Sequence, residues 1–223
     1  NINVKDTVTV NEARNIATST TGTIGFLSGI SDVKNNYISS AILTTSKFDD
    51  AIGAGGDPDV IITVTTTANA QEGHLIASQT SGPGYAMFNG GIQDTIANLA
   101  IDSGITANLT AITNNDSGVG IIITDVVTAN EGNHVAGATT GTVVYSGGVS
   151  DVAINLSTDN AIENELNAIV TEDPDVNVTV TTEVTANQGG VIADSTSGTV
   201  IFNIGVNDVS NNIDKSIDVD VFL

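Results

Sequence analysis

One phrase recurs four times in this chain, and that recurrence limits the fold more than any single residue does. It reads TGTIGFLSGISDVKNNY at 21–37, SGPGYAMFNGGIQDTIANL at 81–99, TGTVVYSGGVSDVAINL at 140–156 and SGTVIFNIGVNDVSNNI at 197–213. Aligned on Gly22, Gly82, Gly141 and Gly198, the copies lie 60, 59 and 57 residues apart. Allowing for two extra residues around Pro83 and Gly84, an aromatic recurs at Phe26, Phe88, Tyr145 and Phe202. Four residues on come Ile30, Ile92, Val149 and Val206, then Asp32, Asp94, Asp151 and Asp208. One turn beyond each aspartate is an asparagine: Asn36, Asn98, Asn155 and Asn212.

Two further phrases belong to the same unit. TVTVNEA (7–13), TTTANAQEG (65–73), VVTANEG (126–132) and EVTANQG (183–189) precede the four copies. DPDVIITV (57–64), DSGVGIIIT (116–124) and DPDVNVTV (173–180) open the later units. The chain therefore divides into repeats 1–56, 57–115, 116–172 and 173–223, each of which needs its neighbours to bury its apolar face.

Within a unit, DPDVNVTV reads as a turn and then an alternating strand. TANQGGVIADSTSG reads as a short helix or helical turn, and GTVIFNIGV as a second strand. SDVAINLSTDNAIENELNAIVTED then reads as a long helix, with Ile162, Leu166 and Ile169 at helical spacing. Asp208 and its equivalents sit where that helix would be capped. The expected fold is an α/β repeat, four β-α-β-α units stacked as a parallel solenoid with strand starts near 60, 84, 120, 142, 177 and 199. Tandem all-β sandwich domains are the alternative. On the first reading the four aromatics fill equivalent core positions, and the asparagines form a ladder between units.

Composition narrows the partners. The net charge is −21, and only Lys5, Arg14, Lys34, Lys47 and Lys215 are basic, so a nucleic-acid backbone finds no cationic surface. An anionic membrane surface is excluded on the same ground, and no apolar run is long enough for insertion. Only 14% of residues are charged, so Thr, Asn, Ser and Gly must supply most of the polar surface. Cysteine is absent, which removes disulfides and thiolate metal sites. The start at Asn1, with neither initiator Met nor signal peptide, reads as a piece of a longer product.

The SDVAINL phrase (150–156), after a GTVxY strand, resembles the SDTAANL-type repeats of bacterial surface-layer proteins and giant secreted calcium-dependent adhesins. VTVNEA (8–13) is similar to the VTVAQA-like phrase those repeats carry upstream. The resemblance covers essentially the whole chain. It implies an extracellular, non-enzymatic module that builds a surface layer, stalk or filament by self-association. Two departures stand out: no GGxGxDxxx nonapeptide is present, and the helices hold Asn and Ile where the family has Ala.

Candidate sites are few. His74 and His134 follow Glu-Gly in two units but lack the further ligands zinc needs. No GxSxG elbow, Walker motif or dinucleotide fingerprint occurs. Glu163/Glu165 and Glu172/Asp173 read as solvated charge. Calcium takes six to eight oxygens, and Asp57, Asp59, Asp116, Asp173 and Asp175 lie at matching unit-opening turns. They are the candidate calcium ligands, against the reading that Asp merely suits a turn before Pro or Gly. The N-x-Ser/Thr sequons at Asn108, Asn115, Asn155 and Asn177 permit glycosylation without indicating it.

These features lead to the expectation of a non-enzymatic structural or adhesive module at the cell surface. Its partners would be other copies of itself, flanking domains of the same product, or a surface glycan or receptor. The alternative setting is the surface of a virion, as a tail fibre or capsid decoration. Both chain ends, NINVKDTVTV and VDVFL, read as apolar faces ready to meet another copy.

Overall fold

The computed structural model describes residues 1–39, 42–43, 57, 59–80 and 84–208. VDVFL at 219–223, Asn212 and the GAGG run at 53–56 lie outside the described residues. Described in chain order, the first repeat contains β1 (Ile2–Val4), α1 (Val10–Thr18), β2 (Ile24–Phe26), β3 (Ile30–Asp32), α2 (Lys34–Tyr37), β4 (Ile38–Ser39) and β5 (Ile42–Leu43). The second contains β6 (Ile62–Val64), α3 (Ala70–Ala77), β7 (Ala86–Phe88), β8 (Ile92–Asp94), α4 (Ile96–Leu99), β9 (Ala100–Ile101), β10 (Gly104–Ile105) and α5 (Ala107–Asn115). The third adds β11 (Ile121–Ile123), α6 (Ala129–Ala136), β12 (Val143–Tyr145), β13 (Val149–Asp151), α7 (Ala153–Leu156) and α8 (Asn164–Glu172). The fourth adds β14 (Val178–Val180), α9 (Ala186–Ala193) and β15 (Val200–Phe202).

The chain forms neither a stacked parallel solenoid nor a row of all-β sandwiches. It is a mixed α/β structure whose described strands, two or three residues long, gather into separate sheets of at most three strands. Three of these sheets, β1-β2, β4-β5 and β10-β9, have only two strands, and β4 and β5 run antiparallel. Others are parallel: β6 lies between β3 and β7, and β14 lies between β13 and β15. Such short strands are cut off by turns before a continuous sheet can form. The nine described helices are equally incompatible with a sandwich.

The unit has three short strands where two were expected. Three residues after each aromatic stands a glycine at positive φ: Gly29 (78°), Gly91 (71°), Gly148 (75°) and Gly205 (99°). That backbone region is open to glycine, and it turns the chain between β2 and β3, β7 and β8, and β12 and β13. Aromatic and aliphatic residue therefore lie on different strands, not on one face of a single strand. Both are buried in the first three repeats, with Phe26 3% and Ile30 0% exposed, whereas Phe202 is half-buried.

The long helix expected from 150 to 173 is also broken. Ser150 and Asp151 belong to β13, α7 has four residues, and Ser157 bridges Ile162 antiparallel before α8 begins. Leu166 and Ile169 face the core, while Ile162 precedes the helix.

By internal contacts the chain forms two compact units. One comprises Asn1–Asp94, Ile105–Ile122 and Ala138–Thr142; the other comprises Thr95–Gly104, Ile123–Gly137 and the described residues from Val143. In the first, Ile62, Val64, Ile76, Phe88, Ile92, Leu109 and Ile112 are buried together with Tyr37. Helix α3 packs on α5 there at Gly73, where a Cβ would stand 2.7 Å from Ile112 Cδ1. In the second, α6 packs on α8 at Gly132, where a Cβ would stand 2.5 Å from Ile169 Cδ1. A glycine on this face permits each close helix crossing.

The close backbone approaches give a direct test. A Cβ on Gly147 would lie 2.1 Å from the Asp125 carbonyl carbon, whereas one on Gly118 meets nothing nearer than 3.8 Å. Gly147→Ala should lower stability by about 3 kcal/mol, the upper end of overpacking costs. Gly118→Ala should stay within about 0.5 kcal/mol of the parent; urea midpoints at constant slope measure both.

Candidate functional site: the recurring carboxylates

Two sets of aspartates recur, and each holds backbone. The first set ends the third strand in the first three repeats and recurs as Asp208 in the fourth. Asp32 Oδ2 accepts the Val10 N–H at 3.1 Å, Asp94 that of Ala70 at 2.9 Å, Asp151 that of Ala129 at 3.0 Å and Asp208 that of Ala186 at 3.0 Å. Every acceptor serves the first residue of a helix 22 or 24 positions earlier. Those N–H groups have no partner within their helix, and a carboxylate there also suits the helix dipole. The aspartates thus cap the helix behind them, not the one ahead.

The same helices carry a cap of their own. Thr9 with Glu12, Asn69 with Glu72, Thr128 with Glu131 and Thr185 with Gln188 each form a reciprocal capping box. The second carboxylate oxygen is also used. Asp32 Oδ1 accepts from Val33 N–H and Asn36 Nδ2, and Asp151 Oδ1 accepts from Val152 N–H and Asn155 Nδ2. Asn36 and Asn155 therefore orient their own aspartate.

The second set contains the candidate calcium ligands. Asp57 Oδ2 accepts the Phe26 N–H at 2.7 Å, Asp116 Oδ2 that of Phe88 at 2.8 Å, and Asp173 Oδ2 that of Tyr145 at 2.7 Å. Each reaches back 28 or 31 residues to the aromatic strand of the preceding repeat. The other oxygen closes an Asx turn: Asp57 Oδ1 accepts from Asp59 N–H and Asp116 Oδ1 from Gly118 N–H. The residue before assists, with Asn115 Oδ1 accepting the Ala86 N–H and Glu172 Oε2 the Val143 N–H.

Asp59 is exposed, and its place in the third repeat is taken by Gly118. Asp175 stands beside Asp173 and adds to the rise in that carboxyl's pKa, which burial drives first and the Tyr145 N–H opposes. Asp173 is only 9% exposed. Each turn thus contributes at most two of these five carboxylates, and Asp57, Asp116 and Asp173 are already engaged with backbone. Among the described residues no group of three or more His, Cys, Asp or Glu side chains converges as metal ligands do. Asp57, Asp116 and Asp173 are thus occupied with backbone N–H groups at three separate turns.

A third recurring link was not read from the sequence. The short helices α2, α4 and α7 receive no cap from their own side chains. Thr66 Oγ1, Asp125 Oδ1 and Thr182 Oγ1 instead accept the N–H of Lys34, Ile96 and Ala153, 32, 29 and 29 residues earlier. The signal was a polar residue at one repeat offset, just after each first strand.

Other candidates are placed as follows. His74 lies on α3 with Nδ1 buried and unpartnered among the described residues, and His134 Nε2 lies 3.3 Å from the Asp102 carbonyl. Among the sequons, Asn115 Nδ2 donates to Ala111 O, Asn155 Nδ2 to Asp151, and Asn177 Oδ1 accepts the Thr199 N–H. Tyr145 donates its hydroxyl to Gly132 O, and burial, with Glu172 and Asp173 nearby, raises its pKa. Searches against protein-family models, curated proteins and solved structures found no match to this chain.

Asp57→Asn and Asp173→Asn should each lower stability by about 1–3 kcal/mol, because an amide cannot accept from both backbone N–H groups. The loss should be the same with calcium or with sodium chloride of equal ionic strength; a loss confined to calcium-containing buffer would give these aspartates a metal role instead. The pH dependence has a definite sign. Asp173 has a raised folded-state pKa, so its contribution is fully present below the unfolded carboxylate pKa and is lost as pH rises through the folded value. In a pH series of urea melts, Asp173→Asn should remove that downward component.

Proposed function

We propose that this chain is a non-enzymatic structural or adhesive repeat module of a cell surface, working through length and self-association. The observation that carries this reading is the use of its recurring polar residues. The recurring aspartates, with Thr66 and Thr182, hold backbone across 22 to 32 residues, while the capping-box residues hold their own helix starts and Asn36 and Asn155 hold their own aspartates. Repetition copies a load of this kind unchanged, whereas catalysis needs one differentiated cleft.

Surface features support it. Leu27 (63%), Val126 (54%), Ile154 (75%), Ile201 (50%) and Ile204 (60%) are exposed, and apolar groups in water favour association. The charge of −21 opposes contact between copies at low salt. With a Debye length of about 3 Å near molar salt, that repulsion is short-ranged. The resemblance to surface-layer and adhesin repeats points the same way.

Self-association followed by sedimentation velocity should increase with sodium chloride, and antibodies to the chain should label intact cells. A chain monomeric at every salt concentration, or found only inside cells, would overturn the reading.

A further inference from the structure

The first three repeats each present the same junction to the next repeat. The aromatic N–H donates to the opening aspartate: Phe26 to Asp57, Phe88 to Asp116, Tyr145 to Asp173. The first N–H of the third strand donates to a carbonyl of the following strand: Ile30 to Ile61, Ile92 to Gly120, Val149 to Asn177. The positive-φ glycine between them lies under that carbonyl, so a Cβ on Gly29, Gly91 or Gly148 would meet it at 2.5, 2.9 or 2.7 Å.

The fourth repeat builds the giving half of this junction. Val184 N–H donates to Gly205 O and Asn207 N–H to Val184 O, which aims the Val206 N–H away from its own sheet. Asn203 N–H donates to Val180 O, so strand alternation aims the Phe202 N–H the same way. Among the described residues neither outward N–H has a partner, and a Cβ on Gly205 meets nothing within 4 Å. Phe202 and Val206 are half-buried where Tyr145 and Val149 are buried.

We propose that the edge formed by Phe202, Gly205 and Val206 docks an extended segment led by an aspartate, of the pattern Asp-x-x-Val-x-(Ile/Val)-x-(Val/Ile), presented by a further repeat unit. Segments 57–64, 116–123 and 173–180 carry this pattern and fill the three equivalent junctions. The segment adds in parallel, as β14 adds to β13 with Val178 opposite Val149. Its aspartate accepts the Phe202 N–H, and the carbonyl of the residue directly after its first valine lies over Gly205 and accepts the Val206 N–H, as the Asn177 carbonyl does for Val149. The inference deepens the proposed surface role by naming the partner segment, and its failure would leave salt-dependent association standing.

The probe is a synthetic peptide of residues 173–182 added to the intact, isotopically labelled chain, with amide exchange and chemical shifts read at neutral pH. Binding should protect the Phe202 and Val206 amides. Asp173→Asn in the peptide should weaken binding roughly tenfold or more, since it removes a charged acceptor. Thr179→Pro in the peptide should abolish binding, because that N–H faces the docking edge. No binding at millimolar peptide, binding that leaves these two amides unprotected, or indifference to both substitutions would overturn the proposal. So would self-association without peptide that protects Val206 and is blocked by Asn3→Pro, for it would give the edge to β1 of a second copy.

Discussion

The structure depends on carboxylates that accept backbone N–H groups far away in sequence. Each repeat would otherwise leave two kinds of donor without a partner: the first turn of its capping-box helix and the outward N–H of its aromatic strand residue. Asp151 serves Ala129 and Asp173 serves Tyr145, and the same pairings recur along the described chain. Hydrogen bonds to an ionised acceptor contribute about 1.5–3 kcal/mol each. Removing one leaves a buried donor without a partner, so the loss reaches the packing around it.

This explains how an acidic chain folds with five basic residues. The ordinary use of a carboxylate, pairing with Lys or Arg, is scarcely open to it; Lys34 with Glu72 is such a pair. Backbone dipoles take the place of cations. Among the described residues twelve carboxylates accept backbone N–H groups at helix starts, strands and turns, although repulsion at long range persists and salt screens it. Around this frame the apolar core is thin and repetitive, built from Ile, Val and Leu at the same offsets, with Gly73 and Gly132 letting helices approach.

The first two strands of the later units and the short helix were legible because they are written as local patterns. The strands observed at Ile62–Val64, Ala86–Phe88, Val178–Val180 and Val200–Phe202 lie where β-branched and aromatic residues cluster. The third strand was not legible as such. Val149–Asp151 is three residues long, and Ser-Asp before an apolar run imitates a helix start. Gly148 at positive φ marked the turn before it, three residues after Tyr145 in a spacing shared by all four repeats. The capping boxes at Thr9–Glu12 and Thr128–Glu131 were likewise present as Thr-x-x-Glu. The role of the aspartates was hidden for a different reason. Their partners are backbone atoms 22 to 31 residues away, and a main-chain donor leaves no mark on the sequence. An aspartate at a turn looks the same whether it waits for calcium or already holds an amide.

Native-state hydrogen exchange measures the central interaction directly. In the parent chain the Phe88 and Tyr145 amides should exchange as slowly as the core residues beside them. In Asp116→Asn the Phe88 amide should lose protection while Tyr145 keeps it, and in Asp173→Asn the reverse should hold. Unchanged protection at both amides, or an equal loss across the whole chain, would contradict the claim that each aspartate holds its own strand.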